Sequence, residues 1–121
     1  MKKITIFTLL LFSVYTATSQ TCEDFIASIK SENYGTTYNS YTSEAISKVT
    51  FYDVYKDYQK YCFAIVCFKS KYSYGCTEYI YQVGSNTKLK YAMNYLDSAG
   101  KAFWNFIEPY SDNLECSPNL D

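Results

Sequence analysis

The chain contains no histidine and no arginine, and it has only four glycines, two prolines and one tryptophan. The absence of histidine excludes Ser-His-Asp and Cys-His catalysis and removes the commonest zinc ligand. No two cysteines have Cys-x-x-Cys spacing, which argues against a redox dithiol and a zinc knuckle. A hydrolase that uses carboxylates alone stays open, but most acidic residues fall on polar faces or in turns. We therefore expect no metal, no cofactor and no enzymatic activity.

The basic residues are all lysines, and 11 of them stand against 12 acidic residues. Cleavage of the N-terminal segment described next removes Lys2 and Lys3, which gives a net charge of 9 − 12 = −3. A mildly acidic chain has no general electrostatic attraction to phosphate backbones or anionic lipids. The lysines are scattered, so nucleic acid is an unlikely partner.

The N-terminus has the pattern of an export signal. A basic start is followed by the apolar run Ile4–Val14 and by the small residues Ala17-Thr18-Ser19. The run is shorter than the ~20 apolar residues that span a bilayer; a buried N-terminal strand is the alternative. We expect a signal peptide over residues 1–19, cleavage after Ser19, and a secreted or periplasmic product without a transmembrane segment. The residues before Cys22 disfavour lipidation.

Five cysteines remain after this cleavage: Cys22, Cys62, Cys67, Cys76 and Cys116. In an exported protein disulfides are the default expectation, and an odd count leaves one thiol over. Cys67 and Cys76 flank a predicted hairpin loop, while Cys22 and Cys116 lie near the two ends. We predict these two pairs and a free Cys62, although spacing alone leaves other connectivities open.

Residues 20–46 predict a helix followed by a polar loop. The helix runs from Thr21 to about Ser31, with Thr21 as its cap and Asp24 in the capping-box position. The segment 34–44 is polar and rich in tyrosine, which indicates a loop or a short edge strand. Its tyrosines either form an exposed contact surface or pack over the rim of the core. They are Tyr34, Tyr38 and Tyr41.

Residues 47–83 predict strands. The first strand is Ser47–Val54, a turn follows at Tyr55–Asp57, and the next strand is Tyr58–Lys69. Because Tyr58–Lys69 is apolar on both faces, we expect it to be central in the sheet. After a loop, Cys76–Val83 returns as another strand.

Residues 86–110 predict two short helices. The first begins at Asn86 or Thr87 and extends to about Asp97, and its apolar stripe is expected to face the core. That stripe consists of Leu89, Ala92, Met93 and Leu96. Ser98-Ala99-Gly100 interrupts the helices, Lys101–Ile107 forms the second, and residues 111–121 form an irregular tail. The fold class is therefore α+β, with an N-terminal helix, a three- or four-stranded antiparallel sheet, and two C-terminal helices on one face.

The order of elements between Ser47 and Tyr110 resembles the KTSC domain, a small module named after the C-terminus of some lysyl-tRNA synthetases. The most characteristic part is a Tyr-x-Tyr strand followed by valine, then a helix and a Ser-x-Gly break. The matching positions are Ser47, Val49, Tyr52, Phe63–Phe68, Tyr79, Tyr81, Val83, Ser98, Gly100, Phe103, Ile107 and Tyr110. The sequence departs from the family at Gly84, where proline is usual, and at Trp104 and Glu108, where asparagine and a basic residue are common.

The resemblance implies an α+β module over residues 47–110 and, since RNA binding has been proposed for the family, a nucleic-acid ligand as the alternative function. The departures remove basic character from this chain. Our leading hypothesis is therefore a secreted, non-enzymatic binding module whose ligand is a protein, a peptide or a glycan. The candidate contact residues are Tyr79, Tyr81, Tyr91, Tyr95 and Trp104. For Tyr79 and Tyr81, the alternative is packing beneath the two helices.

Overall fold

The structure is a computed structural model that describes residues 21–71, 74–118 and 120. The predicted signal peptide and its cleavage site lie outside these residues. The elements are α1 (Cys22–Glu32), β1 (Gly35–Asn39), β2 (Ile46–Lys56), β3 (Gln59–Lys69), β4 (Cys76–Val83), α2 (Thr87–Asn94), α3 (Ala99–Phe106) and a 3-10 turn (Glu108–Tyr110). The predicted α+β class is confirmed.

The four strands form one antiparallel sheet in the order β1-β2-β3-β4. β3 is interior and pairs with β2 and β4 along most of its length, which confirms the prediction of a central strand. Ala64 and Val66 are buried on one face, and Phe63 and Ile65 are buried on the other. A strand can be apolar on both sides only where helices cover both faces of the sheet.

The two faces of the sheet carry separate cores. On one face, α2, α3 and the 3-10 turn pack with Tyr91, Phe103 and Ile107 against the strands. On the other, α1 packs with Ile26 and Ile29. The prediction that both C-terminal helices lie on one face is confirmed. The result is a three-layer arrangement in which each helix layer buries one apolar face of the sheet.

The start of α1 is fixed by its cap and by a disulfide. The Thr21 hydroxyl accepts a hydrogen bond from the Asp24 amide at 3.1 Å, as predicted. Cys22 is bonded to Cys116, which ties the helix to the C-terminal tail. The second disulfide joins Cys67 and Cys76 across the β3–β4 pair, and Cys62 is free. Both predicted pairings are confirmed.

The turn between β2 and β3 differs from the prediction. β2 continues to Lys56, which pairs with Gln59, so the turn consists of Asp57 and Tyr58 and not of residues 55–57. Both turn residues have positive φ, 53° and 65°. Two left-handed residues match the right-handed twist of a hairpin, a geometry usually signalled by Asn-Gly or Asp-Gly. The Asp-Tyr sequence carries no such signal, which explains the error.

The β1 segment is the short edge strand that the sequence allowed as one of two alternatives. It pairs with β2 through Gly35 opposite Tyr52. A Cβ atom at Gly35 would lie 2.7 Å from the Tyr52 ring and 2.5 Å from the Thr50 methyl carbon. Glycine is therefore required here, because the Tyr52 ring occupies the space above it.

The orientation of α2 is opposite to the prediction. Leu89, Met93 and Leu96 were expected in the core, but their side chains are 64%, 76% and 84% exposed. The buried side of the helix instead carries Thr87 and Tyr91. The Tyr91 ring packs against rings from β1 and β2, whereas three flexible aliphatic side chains would leave that aromatic surface poorly filled.

The boundaries of both C-terminal helices also differ from the prediction. α2 ends at Asn94 and not near Asp97, and α3 begins at Ala99 and not at Lys101. Ser98 is the cap of α3, and its hydroxyl accepts from the Lys101 amide at 3.2 Å. The Ser-Ala-Gly segment is thus the cap and first turn of a helix rather than a break of three residues.

Candidate functional site

Two of the predicted contact residues are inaccessible. Tyr81 and Tyr91 are 1% and 0% exposed, and within the described part of the chain neither hydroxyl has a hydrogen-bond partner. Burial raises the pKa of Tyr81 above its usual value, and it raises the pKa of Tyr91 to about 12 against the opposing effect of the Ser40 hydroxyl. Both rings are buried between the C-terminal helices and the sheet, Tyr81 from β4 and Tyr91 from α2, which corrects the expectation that they contact a ligand.

The other three predicted contact residues do not form one surface. Tyr79 is partly buried against Phe68 at 5.8 Å between ring centroids. Tyr95 is partly buried and stacks on Tyr91 at 5.5 Å. Trp104 is half exposed. Of these three, only Tyr95 borders the cleft described below.

The free thiol of Cys62 is in an environment that makes it unreactive. Burial and a hydrogen bond with Asp53 raise the pKa of Cys62, so the thiol stays protonated at neutral pH.

Among the residues that the structure describes, no group of three His, Cys, Asp or Glu side chains is placed to hold a metal ion. Within the same residues, no helix has both the length and the apolar character needed to cross a bilayer.

Among the described residues, a cleft lies between the β1–β2 loop and the α2–α3 junction, and we call it the loop–helix cleft. Its volume is about 530 Å³, and it is lined by residues 39–45 and 95–100. This volume lies in the range of small-molecule sites. The lining combines polar side chains with Tyr41 and Leu96, which are 86% and 84% exposed.

The loop wall of the cleft is held by several hydrogen bonds. The Lys69 ammonium group donates to the carbonyl oxygens of Tyr41, at 3.2 Å, and Ser43. The Ser43 hydroxyl accepts from the Ile46 amide at 3.1 Å. The Lys69 amide donates to the Ala45 carbonyl at 2.8 Å. These contacts anchor the loop to β2 and β3, so the wall is formed before any ligand arrives.

The opposite wall is the start of α3. The first amides of a helix have no acceptor within the helix, so Ala99 and Gly100 bring hydrogen-bond donors to this side. A Cβ atom placed on Gly100 would find no atom within 4 Å, so the backbone there is open to an approaching molecule. Ser40 lines the cleft as well, but the residue is only 8% exposed and its hydroxyl acts on the buried Tyr91 hydroxyl.

Two carboxylates, Glu44 and Asp97, complete the lining. Both residues are exposed. The salt bridge found within the described residues joins Lys30 and Glu78, so neither cleft carboxylate is paired with a cation there. The cleft therefore offers strong acceptors on its rim and backbone donors on one wall, next to an exposed aromatic ring.

Sequence reasoning identified Tyr41 and Tyr95 as contact candidates but missed the rest of this cleft. Its two walls lie 50 or more residues apart in the chain, and most lining residues are ordinary polar types. The available signal was a tyrosine within a polar loop. No protein-family model, no curated protein and no solved structure matches this chain, so the resemblance to the KTSC domain stays a prediction.

Proposed function

We propose that the protein is an exported, non-enzymatic binding module of KTSC-like fold that holds a neutral carbohydrate in the loop–helix cleft. Export is supported by the leader pattern and by two disulfides, which persist in oxidising compartments. The observation that carries the proposal is the cleft lining, in which donors and acceptors lie beside the exposed Tyr41 ring.

A carbohydrate matches this lining because each of its hydroxyl groups both donates and accepts a hydrogen bond. Glu44 and Asp97 accept from sugar hydroxyls, and hydrogen bonds to charged groups contribute about 1.5–3 kcal/mol each. The amides at the start of α3 donate to sugar oxygens. The Tyr41 ring supplies an apolar face against the C–H face of a pyranose. The same carboxylates repel anionic sugars, which makes neutral ligands the better match.

Nucleic acid is the weaker candidate on these grounds. The cleft carries two carboxylates, and a phosphate backbone needs a cationic surface. Two of the lysines are engaged within the chain, since Lys69 holds the loop and Lys30 pairs with Glu78. We expect no shift of a labelled single-stranded RNA even at low salt.

A titration followed by NMR tests the proposal. Cellohexaose, xylohexaose and chitohexaose are the neutral probes, and polygalacturonate fragments are the anionic ones. We expect a neutral probe to shift amide signals of residues 39–45 and 95–100. Tyr41→Ala should weaken that binding about threefold to tenfold, and Glu44→Gln more than tenfold.

Tyr74→Ala is the matched control, because Tyr74 is a fully exposed loop tyrosine that does not line the cleft. Unchanged affinity in both cleft variants, or no cleft shift with any neutral probe, would contradict the carbohydrate assignment. Capture of a host-envelope protein that competes for the same cleft signals would support a binding module with a different ligand. Intact mass of the exported product, expected to begin at Gln20, checks the localisation.

A further inference from the structure

A second feature is the outward face of α2, which shares Leu96 and Asp97 with the lining of the loop–helix cleft. At 100° per residue, Leu89 and Met93 lie on the side of the helix opposite Tyr91, and the following turn brings Leu96 to the same side. Their exposures of 64%, 76% and 84% agree with this placement. The spacing i, i+4, i+7 is that of a helix-packing seam. The fold of the single chain leaves this seam uncovered.

The apolar seam is flanked by a positive charge near its beginning and a negative charge near its end. If the helical spacing is carried through the turn that follows Asn94, Lys90 and Asp97 fall on the same flank of the apolar stripe, one near its beginning and the other just after its end. Both side chains are exposed, and neither forms a salt bridge with any residue that the structure describes. The midpoint between Lys90 and Asp97 and the midpoint between Leu89 and Leu96 both fall within one residue of Met93.

We propose that α2 pairs antiparallel with α2 of a second copy of this chain, about a two-fold axis that passes near Met93. This axis is perpendicular to both helices and lies between them, parallel to their contact surface. Rotation about it reverses the direction of the helix, and the flank that carries Lys90 and Asp97 stays on the same edge of the contact in both copies. Leu89 then meets Leu96 of the partner subunit, and Lys90 meets Asp97 of the partner subunit. Each of these contacts occurs twice, as in any isologous interface.

The charge pattern selects this arrangement over the alternatives. In a parallel two-fold pair the flanks are exchanged, so Lys90 and Asp97 would each lie level with their own copies on opposite edges of the seam, and neither would meet an opposite charge. A membrane surface would engage the apolar seam and the lysine but would repel Asp97. Only the antiparallel second copy covers the seam and pairs both charges. Each copy contributes three apolar side chains and one pair of charges, which is a small contact, so the dimer is a weak one.

Sedimentation velocity over a concentration series tests the pairing, on oxidised protein expressed from residues 1–121. We expect a reversible monomer–dimer equilibrium. Met93→Glu places like charges against each other at the axis and should weaken the dimer more than about tenfold. Lys90→Asp should weaken it about threefold to tenfold, because symmetry repeats the lost ion pair.

The decisive experiment combines two charge reversals, Lys90→Asp and Asp97→Lys, in one protein. Asp97→Lys alone should weaken the dimer as Lys90→Asp does, whereas the double variant should recover most of the wild-type affinity. Tyr34→Glu serves as the control, since Tyr34 is fully exposed and lies outside α2. All the changed side chains are exposed, so circular dichroism and thermal midpoints should match the wild type. A protein that stays monomeric at all concentrations, a dimer insensitive to Met93→Glu, or a double variant no tighter than the single ones would overturn the proposal.

Discussion

Replacing Tyr91 by phenylalanine should stabilise the protein, and the gain should grow at alkaline pH. The Tyr91 ring is fully buried, packs 5.6 Å from Phe51 and stacks on Tyr95. Tyr91→Phe retains these contacts and removes a buried hydroxyl that makes no hydrogen bond of good geometry among the described residues, although the Ser40 hydroxyl lies near enough to lower its pKa. At neutral pH we expect the free energy of unfolding to rise by about 0.5–1.5 kcal/mol, because the desolvation cost of that hydroxyl disappears.

The pH dependence follows from the raised pKa. Burial raises the pKa of Tyr91 to about 12 in the folded state, while an unfolded tyrosine ionises near 10. The unfolded chain therefore loses its proton first, so wild-type stability is intact below about pH 10 and falls as the pH rises toward 12. At about pH 11 this effect amounts to about 1.4 kcal/mol. Tyr91→Phe lacks it, so the advantage of the variant increases by that amount.

Urea denaturation at neutral pH and at about pH 11 measures both effects. Both proteins should carry Cys62→Ala, since a thiolate at high pH attacks disulfides. Tyr34→Phe is the control, because its hydroxyl is exposed in the folded protein and should leave stability unchanged. A destabilised Tyr91→Phe at neutral pH would mean that the hydroxyl has a partner. An advantage that does not grow with pH would mean that the hydroxyl is hydrated.

Three further predictions concern stability and use chemical denaturation. Replacing Cys22 and Cys116 together by serine opens a loop with a sequence separation of 94 and should lower the free energy of unfolding by about 4–5 kcal/mol. Equal stability of the wild-type protein under reducing and oxidising conditions would contradict the presence of this disulfide. Tyr58→Gly should raise the free energy of unfolding by about 1 kcal/mol, because Tyr58 has a left-handed φ of 65° that glycine adopts without steric cost. Asp57→Ala should give no such gain. A loss of stability in the glycine variant would argue against the left-handed turn. Phe103→Ala should destabilise by about 3–5 kcal/mol, since the ring is 1% exposed between α3 and the sheet, and a loss below 1 kcal/mol would place it outside the core.

Much of the sheet was predictable from local pattern. The segment around β3 alternates apolar residues on both faces, and a strand of that kind must be central. The cap at Thr21 and the end of β4 before Gly84 are signalled by neighbouring residues alone. The disulfide pairs were predicted from an expected hairpin between Cys67 and Cys76 and from the position of the other pair near the chain ends, and the structure selects this pairing among those that the spacing allows.

The sequence by itself therefore determined the class of the fold and the central strand, because each depends on short-range periodicity, whereas the disulfide pairing was one of several that the cysteine spacing allows. Tertiary structure decided which side of α2 faces the core. That helix has two apolar sides, and the aromatic surface made by β1 and β2 accepts Tyr91 in preference to Leu89 and Met93. It also created the loop–helix cleft, whose walls come from distant segments and meet only when α2 and α3 lie across the sheet. Periodicity reports how residues repeat along one element, whereas the partner of each face is set by packing between elements.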